Sequence, residues 1–413
     1  MGAFRFRLRA GVPPVSVAGW REAARRRLPD MAWSYIEGGA DDRVTLDENV
    51  SAFARHRLRM RSLTGVGMPD TGVTVAGTRL SIPVALAPVG ATGIAHWTGD
   101  VAAARAAETA GTRAALSTAA SYLLEDVARA TTAGHWFQLY PIGGRARILE
   151  LMQRAKAAGY SALFVTVDIP TLGNREGERK WHFQLPWTVT PGRMLHLLRH
   201  APWVYEALRH KRLAARHFLE VPQAPPEQEP EPEPDGPAGA MSAAANSSAR
   251  LASQIRSDLT WQDVKWMRDH WSGPFFVKGI LDPEDAASAV DDVGADGVVV
   301  SNHGGRQLDR CLASIDALPA IARAIGDRAT VLLDGGVRRG TDVIAAGCLG
   351  ADAVLVGRPY LYGLAAGGEA GVAAVLDLFR EEIERDLKLM GCASFAALGP
   401  EWLVRRGDDV SRP

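Results

Sequence analysis

The stretch Gly297–Asp309 reads GVVVSNHGGRQLD. Its apolar run, Val298 to Val300, stops at Ser301, and Asn302, His303, Gly304, Gly305 and Arg306 follow at once. A strand without polar alternation is buried on both faces, as in a parallel sheet covered by helices. Two glycines after a histidine mark backbone that other residues adopt only with strain. A buried strand ending on an imidazole and a guanidinium carries its chemistry at its C-terminal end.

The same form recurs along the chain. Expected strands are PVALAP (83–88), AALS (114–117), WFQLY (136–140), ALFVTVD (162–168), PFFVKG (274–279), GVVVS (297–301), TVLLDGG (330–336) and AVLVG (353–357). Alanine-rich amphipathic segments between them predict helices over about 100–110, 121–130, 145–158, 260–271, 283–292, 314–325, 339–347 and 369–390. Eight strand–helix units predict an α/β fold, a (β/α)8 TIM barrel. An open doubly wound sheet is disfavoured, because no GxGxxG follows the first strand. Residues 1–80 are expected to form an N-terminal helical cap, with WREAARRRLPDMAWSYIEGGADD helical and Gly38-Gly39 as its stop. The barrel range, 81–400, is interrupted between the fourth and fifth strands by an insertion over 186–256.

Composition narrows the function classes. Lys+Arg and Asp+Glu are both 47 in 413 residues, so no global field favours nucleic acid. Cys311, Cys348 and Cys392 form no CxxC pair, which argues against a disulfide framework or a zinc site and for a cytoplasmic setting. No metal is expected. The basic N-terminus MGAFRFRLRAGVPP lacks the apolar core of a secretory signal. No uninterrupted apolar stretch reaches the ~18 residues of a membrane span.

The insertion has two parts. Residues 193–218 carry six Lys/Arg and four of the ten histidines (His196, His200, His210, His217), interleaved with Leu197, Leu198, Trp203, Tyr205, Leu208, Leu213 and Phe218. Glu206 is the one acidic residue there. Such a segment reads as an anchor for peripheral contact with the inner face of the cell membrane. The competing reading is a lid over the barrel mouth, neutralised by the acidic tract Glu227–Asp235. The second part, VPQAPPEQEPEPEPDGPAGAMSAAANSS, is Pro/Glu-rich and then Ala/Ser-rich, and is expected to be disordered.

Polar groups stand at the C-terminal ends of all the expected strands but the first, where a barrel of this kind holds its active site. They are Ser117; Gln138 and Tyr140; Thr166 and Asp168; Lys278; Ser301, His303 and Arg306; DGGVRRG (334–340); and GRP (357–359). The first strand ends in Pro88-Val89-Gly90. DGGVRRG followed by GR suits a phosphate, with glycine backbone approaching the anion and Arg338 and Arg358 adding charged hydrogen bonds. A buried Lys278 needs an electron-rich partner. The candidates are a flavin edge, a carbonyl substrate held as a Schiff base, or an ion pair with Asp334 or Asp168. Asp168 and His303 read as an acid–base pair, and Arg306 with Arg175 as a carboxylate clamp. Tyr140 and Tyr35 are candidate donors to a carboxylate or hydroxyl, although pattern alone favours packing for Tyr35.

With these residues assembled, the chain resembles the FMN-dependent L-2-hydroxy acid dehydrogenase/oxidase family, of glycolate oxidase, lactate dehydrogenase and mandelate dehydrogenase type. The resemblance covers about 16–190 and 255–400 and rests on YIEGGADD, LAPVGATG, LSTAAS, WFQLY, VTVDIPTLGNRE, VKGILDPEDA, SNHGGRQLD, DGGVRRGTD and GRPYLYGLAAGGEAG. It implies that His303 is the base, paired with Asp168, and that Arg175, Arg306, Tyr140 and Tyr35 hold the substrate. It implies FMN as cofactor, with Lys278 facing the flavin N1 edge. Pro88, Val89, Gly90, Ser117, Gln138, Thr166 and Ser301 would also hold the flavin. Asp334, Gly335, Gly336, Val337, Arg338, Gly357 and Arg358 would grip its phosphate end. A homo-oligomer, a tetramer by resemblance, is implied too.

Gly90 resembles the membrane-associated dehydrogenases, where glycolate oxidases carry alanine, and Ala119 stands where those oxidases carry tryptophan. Both changes open the pocket. The expected reaction is oxidation of a lactate- or mandelate-like L-2-hydroxy acid to the 2-oxo acid, with electrons passed to a quinone, another carrier or O2. A Schiff-base aldolase using Lys278 and a non-catalytic membrane-surface adaptor are the alternatives.

Overall fold

The barrel strands are short and almost wholly buried. They are β1 (Val84–Leu86), β2 (Ala115–Ser117), β3 (Trp136–Leu139), β4 (Ala162–Thr166), β5 (Phe275–Ile280), β6 (Gly297–Val300), β7 (Thr330–Asp334) and β8 (Ala353–Val356) in a computed structural model. The structure describes residues 13–180, 190–219, 250 and 252–404. All strand pairs are parallel, in the order β1-β8-β7-β6-β5-β4-β3-β2. The circle closes between β1 and β2 through the parallel bridge Leu86–Ala114 and a 2.9 Å bond from Leu86 N to Arg113 O. The fold is therefore the (β/α)8 barrel, not an open sheet.

Aromatic side chains fill the barrel and its flank. Phe164 and Phe276 stack at 4.6 Å, and Trp136 lies 5.2 Å from Phe164. Each such buried ring contributes roughly 2–3 kcal/mol. On β5 the register slips between Lys278 and Ile280, and Gly279 adopts φ +105°. A Cβ there would lie 2.6 Å from Asp168, so this glycine lets the carboxylate approach the strand end.

Several expected boundaries moved. The helix predicted over 121–130 starts at Leu124. Residues before it stay in a loop because the Asp100 carboxylate accepts from Ser121 N (2.8 Å) and Tyr122 N (3.2 Å). The helix predicted over 369–390 runs from Arg358 to Met390, broken only by Gly368 at φ +60°. Pro359, which reads as a breaker, occupies the first turn, where it is tolerated. It is long and apolar enough to cross a membrane, yet it packs on the helices Val17–Arg27, Gly99–Thr109 and Gly340–Cys348. The single helical segment expected near residue 30 is two helices, Val17–Arg27 and Asp30–Glu37, because Pro29 lies in extended backbone between them.

SNHGGRQLD fastens these N-terminal helices to the barrel. Asn302 and Asn49 exchange two amide hydrogen bonds of 2.8 Å. The Asp309 carboxylate accepts from Thr45 N (2.8 Å) and Val44 N (3.3 Å), at the start of helix Val44–Ser51. An anion at that end satisfies orphan N–H groups and meets the positive end of the helix dipole.

The described part of the insertion is docked. Helix Pro191–Arg199 meets the N-terminal helices through His196, which accepts from Asp30 N, and is followed by His200 beside Arg27 O. Further on, Trp203 donates to Ile94 O at 2.8 Å and Arg212 lies over the Tyr122 ring. His217 donates through Nδ1 to Thr118 O (2.9 Å) and accepts at Nε2 from Leu124 N (3.1 Å). Burial pushes His217 down to about 4, so it carries no charge at neutral pH. The segment is thus not a wholly exposed basic helix. Outward-facing Met194, Leu195 and Leu198, 49%, 54% and 65% exposed, form a small apolar face. The Pro/Glu tract, including Glu227–Asp235, and the basic extreme N-terminus lie outside the described residues.

Gly305 is a direct test of the coupling between cap and barrel. Its φ is +72°, and a Cβ would lie 2.6 Å from the Leu46 backbone. Gly305→Ala should lose about 2 kcal/mol or more from strain and clash together. A thermal melt of the holoenzyme unchanged from wild type would show that this contact is not required.

Candidate active site

The site is built in tiers from the strand ends. Lowest are the buried polar side chains of β2 to β5. Ser117 Oγ donates to Gln138 Oε1 at 2.9 Å, and Gln138 Nε2 donates to Thr166 Oγ1 at 2.9 Å. Beside them Lys278 Nζ lies 2.9 Å from Asp334 and donates to Ser301 Oγ at 2.8 Å. Burial alone would lower the Lys278 pKa, but the carboxylates of Asp334 and Asp168 outweigh it and raise it. A charged ammonium is no nucleophile, so the Schiff-base alternative fails on its own residue.

Above this floor stands His303, at φ +57° with Gly304 and Gly305 also left-handed. Its backbone N–H donates to Ser301 Oγ at 3.1 Å. Nδ1 lies 3.0 Å from Asp168 Oδ1, and the Tyr140 hydroxyl 3.4 Å from Nε2. With the carboxylate accepting from Nδ1–H, the lone pair is on Nε2. Burial, helped by the Lys278 and Arg175 charges, lowers the His303 pKa against the charge and hydrogen bond of Asp168, which raise it. Asp168, which burial alone would raise, is lowered by the His303 charge and hydrogen bond and by Lys278.

One cavity collects most of the expected residues: Tyr35, Pro88, Val89, Gly90, Tyr140, Arg175, Lys278, His303, Arg306, the turn 334–338, Gly357 and Arg358. Ser117, Gln138, Thr166, Ser301 and Asp168 are not walls of it, though Ser301 and Asp168 are bonded to the lining residues Lys278 and His303. Tyr35 is more than packing, since its hydroxyl donates to Gly90 O at 2.9 Å. Sequence reasoning missed Ile36, Ala87, Ile169, Leu172, Leu355, Val356 and Leu361 as walls. They carry no chemistry of their own and so leave no signal. It also missed Glu178, whose carboxylate lies 2.6 Å from Arg306 and 3.8 Å from Arg175. In a run such as REGERK a glutamate looks like any solvated charge.

Comparison with known proteins is consistent with this geometry. The family model described as FMN-dependent dehydrogenase matches residues 24–405. The chain belongs to that family. An L-lactate dehydrogenase of Caulobacter vibrioides (strain NA1000 / CB15N) is 41% identical over 391 residues, covering 95% of this chain and 98% of that one. An L-lactate oxidase of Nostoc sp. (strain PCC 7120 / SAG 25.82 / UTEX 2576) is 40% identical over 394 residues, with 94% and 98% covered. Among solved structures, a monotopic membrane protein, (S)-mandelate dehydrogenase, superposes with TM-score 0.86 at 35% identity, over 95% of this chain and 99% of that one. The protein is thus an FMN-dependent 2-hydroxy acid dehydrogenase/oxidase by family, which disposes of the aldolase and adaptor alternatives.

The residues present suit FMN. Arg358 is buried and donates to three backbone carbonyls, Ile36 O, Gly304 O and Gly38 O. Burial, with the neighbouring Arg306 charge, lowers its pKa to about 10. A guanidinium has five N–H groups, so some remain for an anion. Among the described residues no carboxylate pairs with Arg358 or Arg338, while Gly335 and Gly336 hold the backbone at φ +92° and +86°. Unbalanced cations beside a bare glycine turn fit a phosphate.

The pKa directions give a prediction. A base must be neutral, and His303 is lowered, so kcat/KM should stay high as pH falls until below the ordinary histidine value near 6.5. Asp168→Asn removes the charge that raises His303, so the acid limb should move to still lower pH while the maximal rate drops. A limb shifted upward in that variant would reject the pairing.

Proposed function

We propose that this protein oxidises a lactate- or mandelate-like L-2-hydroxy acid to the 2-oxo acid, with His303 as base. The observation that carries this reading is that His303, bonded through Nδ1 to Asp168, lines the same cavity as Arg175, Arg306, Tyr35 and Tyr140. Two guanidinium groups bind and orient the carboxylate, and the tyrosines fix it or the hydroxyl. Nε2 takes a proton from the bound substrate, and Asp168 holds the imidazole tautomer and stabilises the cation formed. FMN, when bound, accepts the two electrons of the substrate. Pro88, Val89, Gly90, Ser117, Gln138, Thr166, Lys278 and Ser301 hold its ring, and Lys278 places positive charge beside it. Asp334, Gly335, Gly336, Val337, Arg338, Gly357 and Arg358 hold its phosphate end.

Small side chains support the larger members of the substrate class. A Cβ on Gly90 would lie 2.9 Å from the Ala119 Cβ and 3.4 Å from the Tyr35 hydroxyl, so two small residues face each other where bulk would close the pocket. Electrons then pass to a quinone in preference to O2, a reading supported by Gly90 and by the exposed apolar face of helix Pro191–Arg199. That face, with the basic residues near it, makes peripheral contact with the inner leaflet, and the enzyme works as a homo-oligomer.

Two measurements test this. His303→Gln should keep the bound-flavin spectrum but slow flavin bleaching by substrate about 10²-fold or more, the scale of a general base. Bleaching at the wild-type rate would remove His303 from the mechanism. For the membrane contact, deletion is a poor probe because His217 and Phe218 pack beside the site. Leu195→Asp with Leu198→Asp should instead abolish sedimentation with anionic liposomes at low salt and leave flavin bleaching intact. Intact protein that stays in the supernatant would refute the anchor.

A further inference from the structure

Glu178 stands apart from the other acidic residues of the site. Arg175 and Arg306 line the cavity, whereas Glu178 does not. Its carboxylate meets Arg306 Nη2 at 2.6 Å from the side of Gly38, where a Cβ would lie 3.7 Å from Arg306 Nη1 and 3.8 Å from Glu178 Oε1. It also lies 3.8 Å from Arg175 Nη1. All three side chains are largely buried, 15% to 19% exposed. Among the described residues, the other hydrogen bonds of the two arginines go to neutral acceptors. Arg306 Nη1 donates to Tyr35 O and Gly38 O, and Arg175 donates to Arg306 O and to Gln307 Oε1. Among the described residues Glu178 is therefore the one carboxylate that pairs with both Arg175 and Arg306.

We propose that Glu178 is a positioning residue and counter-charge that sets the anion affinity of the Arg175–Arg306 clamp and matches it to a monocarboxylate. The proposal rests on the clamp reading given above. Two buried guanidinium groups alone present two positive charges, and an anion held by both in a low-dielectric cleft leaves slowly. With Glu178 behind them the trio carries one positive charge, which one substrate carboxylate cancels. A dicarboxylate would leave an excess negative charge in a buried place. Glu178 also fixes the Arg306 fork by a charged hydrogen bond, so its two roles act on affinity in opposite directions. Glutamine separates them, because its amide oxygen still accepts from Arg306 while the charge is gone.

The test titrates oxalate and acetate into the oxidised holoenzyme and follows the flavin absorbance. Glu178→Gln should bind oxalate on the order of tenfold tighter, from the loss of one buried unit charge a few ångströms away. Acetate should gain less, KM for the hydroxy acid should fall, and Glu178→Asp should restore wild-type affinity. A purely structural role predicts weaker binding in Glu178→Gln. Arg175→Met is the control, expected to weaken both anions by a large factor. If Arg175→Met binds as tightly as wild type, the clamp itself is wrong. If it weakens binding while Glu178→Gln is unchanged or weaker, the clamp stands and the counter-charge is overturned. Should Glu178→Gln fail to hold FMN, Glu178→Asn, which also keeps an amide acceptor without the charge, takes its place with the same expected direction.

Discussion

The constraint on which the rest depends is the left-handed run at the end of β6. His303, Gly304 and Gly305 have φ of +57°, +63° and +72°. A histidine in that region costs about 1–2 kcal/mol, offset here by Ser301 Oγ accepting from its N–H and by the Asn302 bonds to Gly305 N. Three such residues in succession reverse the chain within one turn. His303 is thereby aimed at Asp168, Arg306 at the backbone of Tyr35 and Gly38, Gln307 at Asp168 O and Thr171 O, and Asp309 at helix Val44–Ser51. One turn thus fixes His303, Arg306 and the attachment of the N-terminal helices together.

Charge balance is the second organising principle. Lys278 is matched by Asp334, His303 by Asp168, and the Arg175–Arg306 pair by Glu178. Breaking a buried pair by removing one partner costs about 3–5 kcal/mol, so these carboxylates are held as firmly as the bases they serve. Among the described residues no carboxylate pairs with Arg338 or Arg358, and both stand where a phosphate is expected. The distribution separates the end of the cavity at His303, Arg175 and Arg306, balanced to within one charge, from the end at Arg338 and Arg358, whose cations suit the phosphate of the proposed FMN.

Much of this was legible in the sequence, and the reasons are physical. Barrel strands bury both faces, so VALAP, LFVT and GVVV stand out locally, and their C-terminal polar residues can be lined up before any fold is seen. Glycines at 279, 305 and 336 mark backbone that a Cβ would block, by contact with Asp168, Leu46 and Asn49. What escaped depends on partners far away in sequence. Glu178 acquires meaning only beside Arg306, 128 residues on. His217 was read with the basic face of the insertion, but bonds to Thr118 and Leu124 make it a neutral core residue. The late start of the helix at Leu124 depends on Asp100, which local propensity does not contain.

The arrangement of Arg358 has a consequence for how the chain is made. Its guanidinium holds Ile36 O and Gly38 O, 322 and 320 residues earlier, and the same N-terminal turn supplies Tyr35 to the cavity. The first wall of the cavity to leave the ribosome is therefore among the last to be seated. Until β8 and the start of the helix after it have emerged, the cap helices lack their final attachment and the mouth has no complete rim. Contacts of such separation slow folding and leave apolar surface waiting on nascent chains. In return, a truncated product ending before Arg358 cannot assemble the site, so synthesis is all but complete before this protein can do redox work.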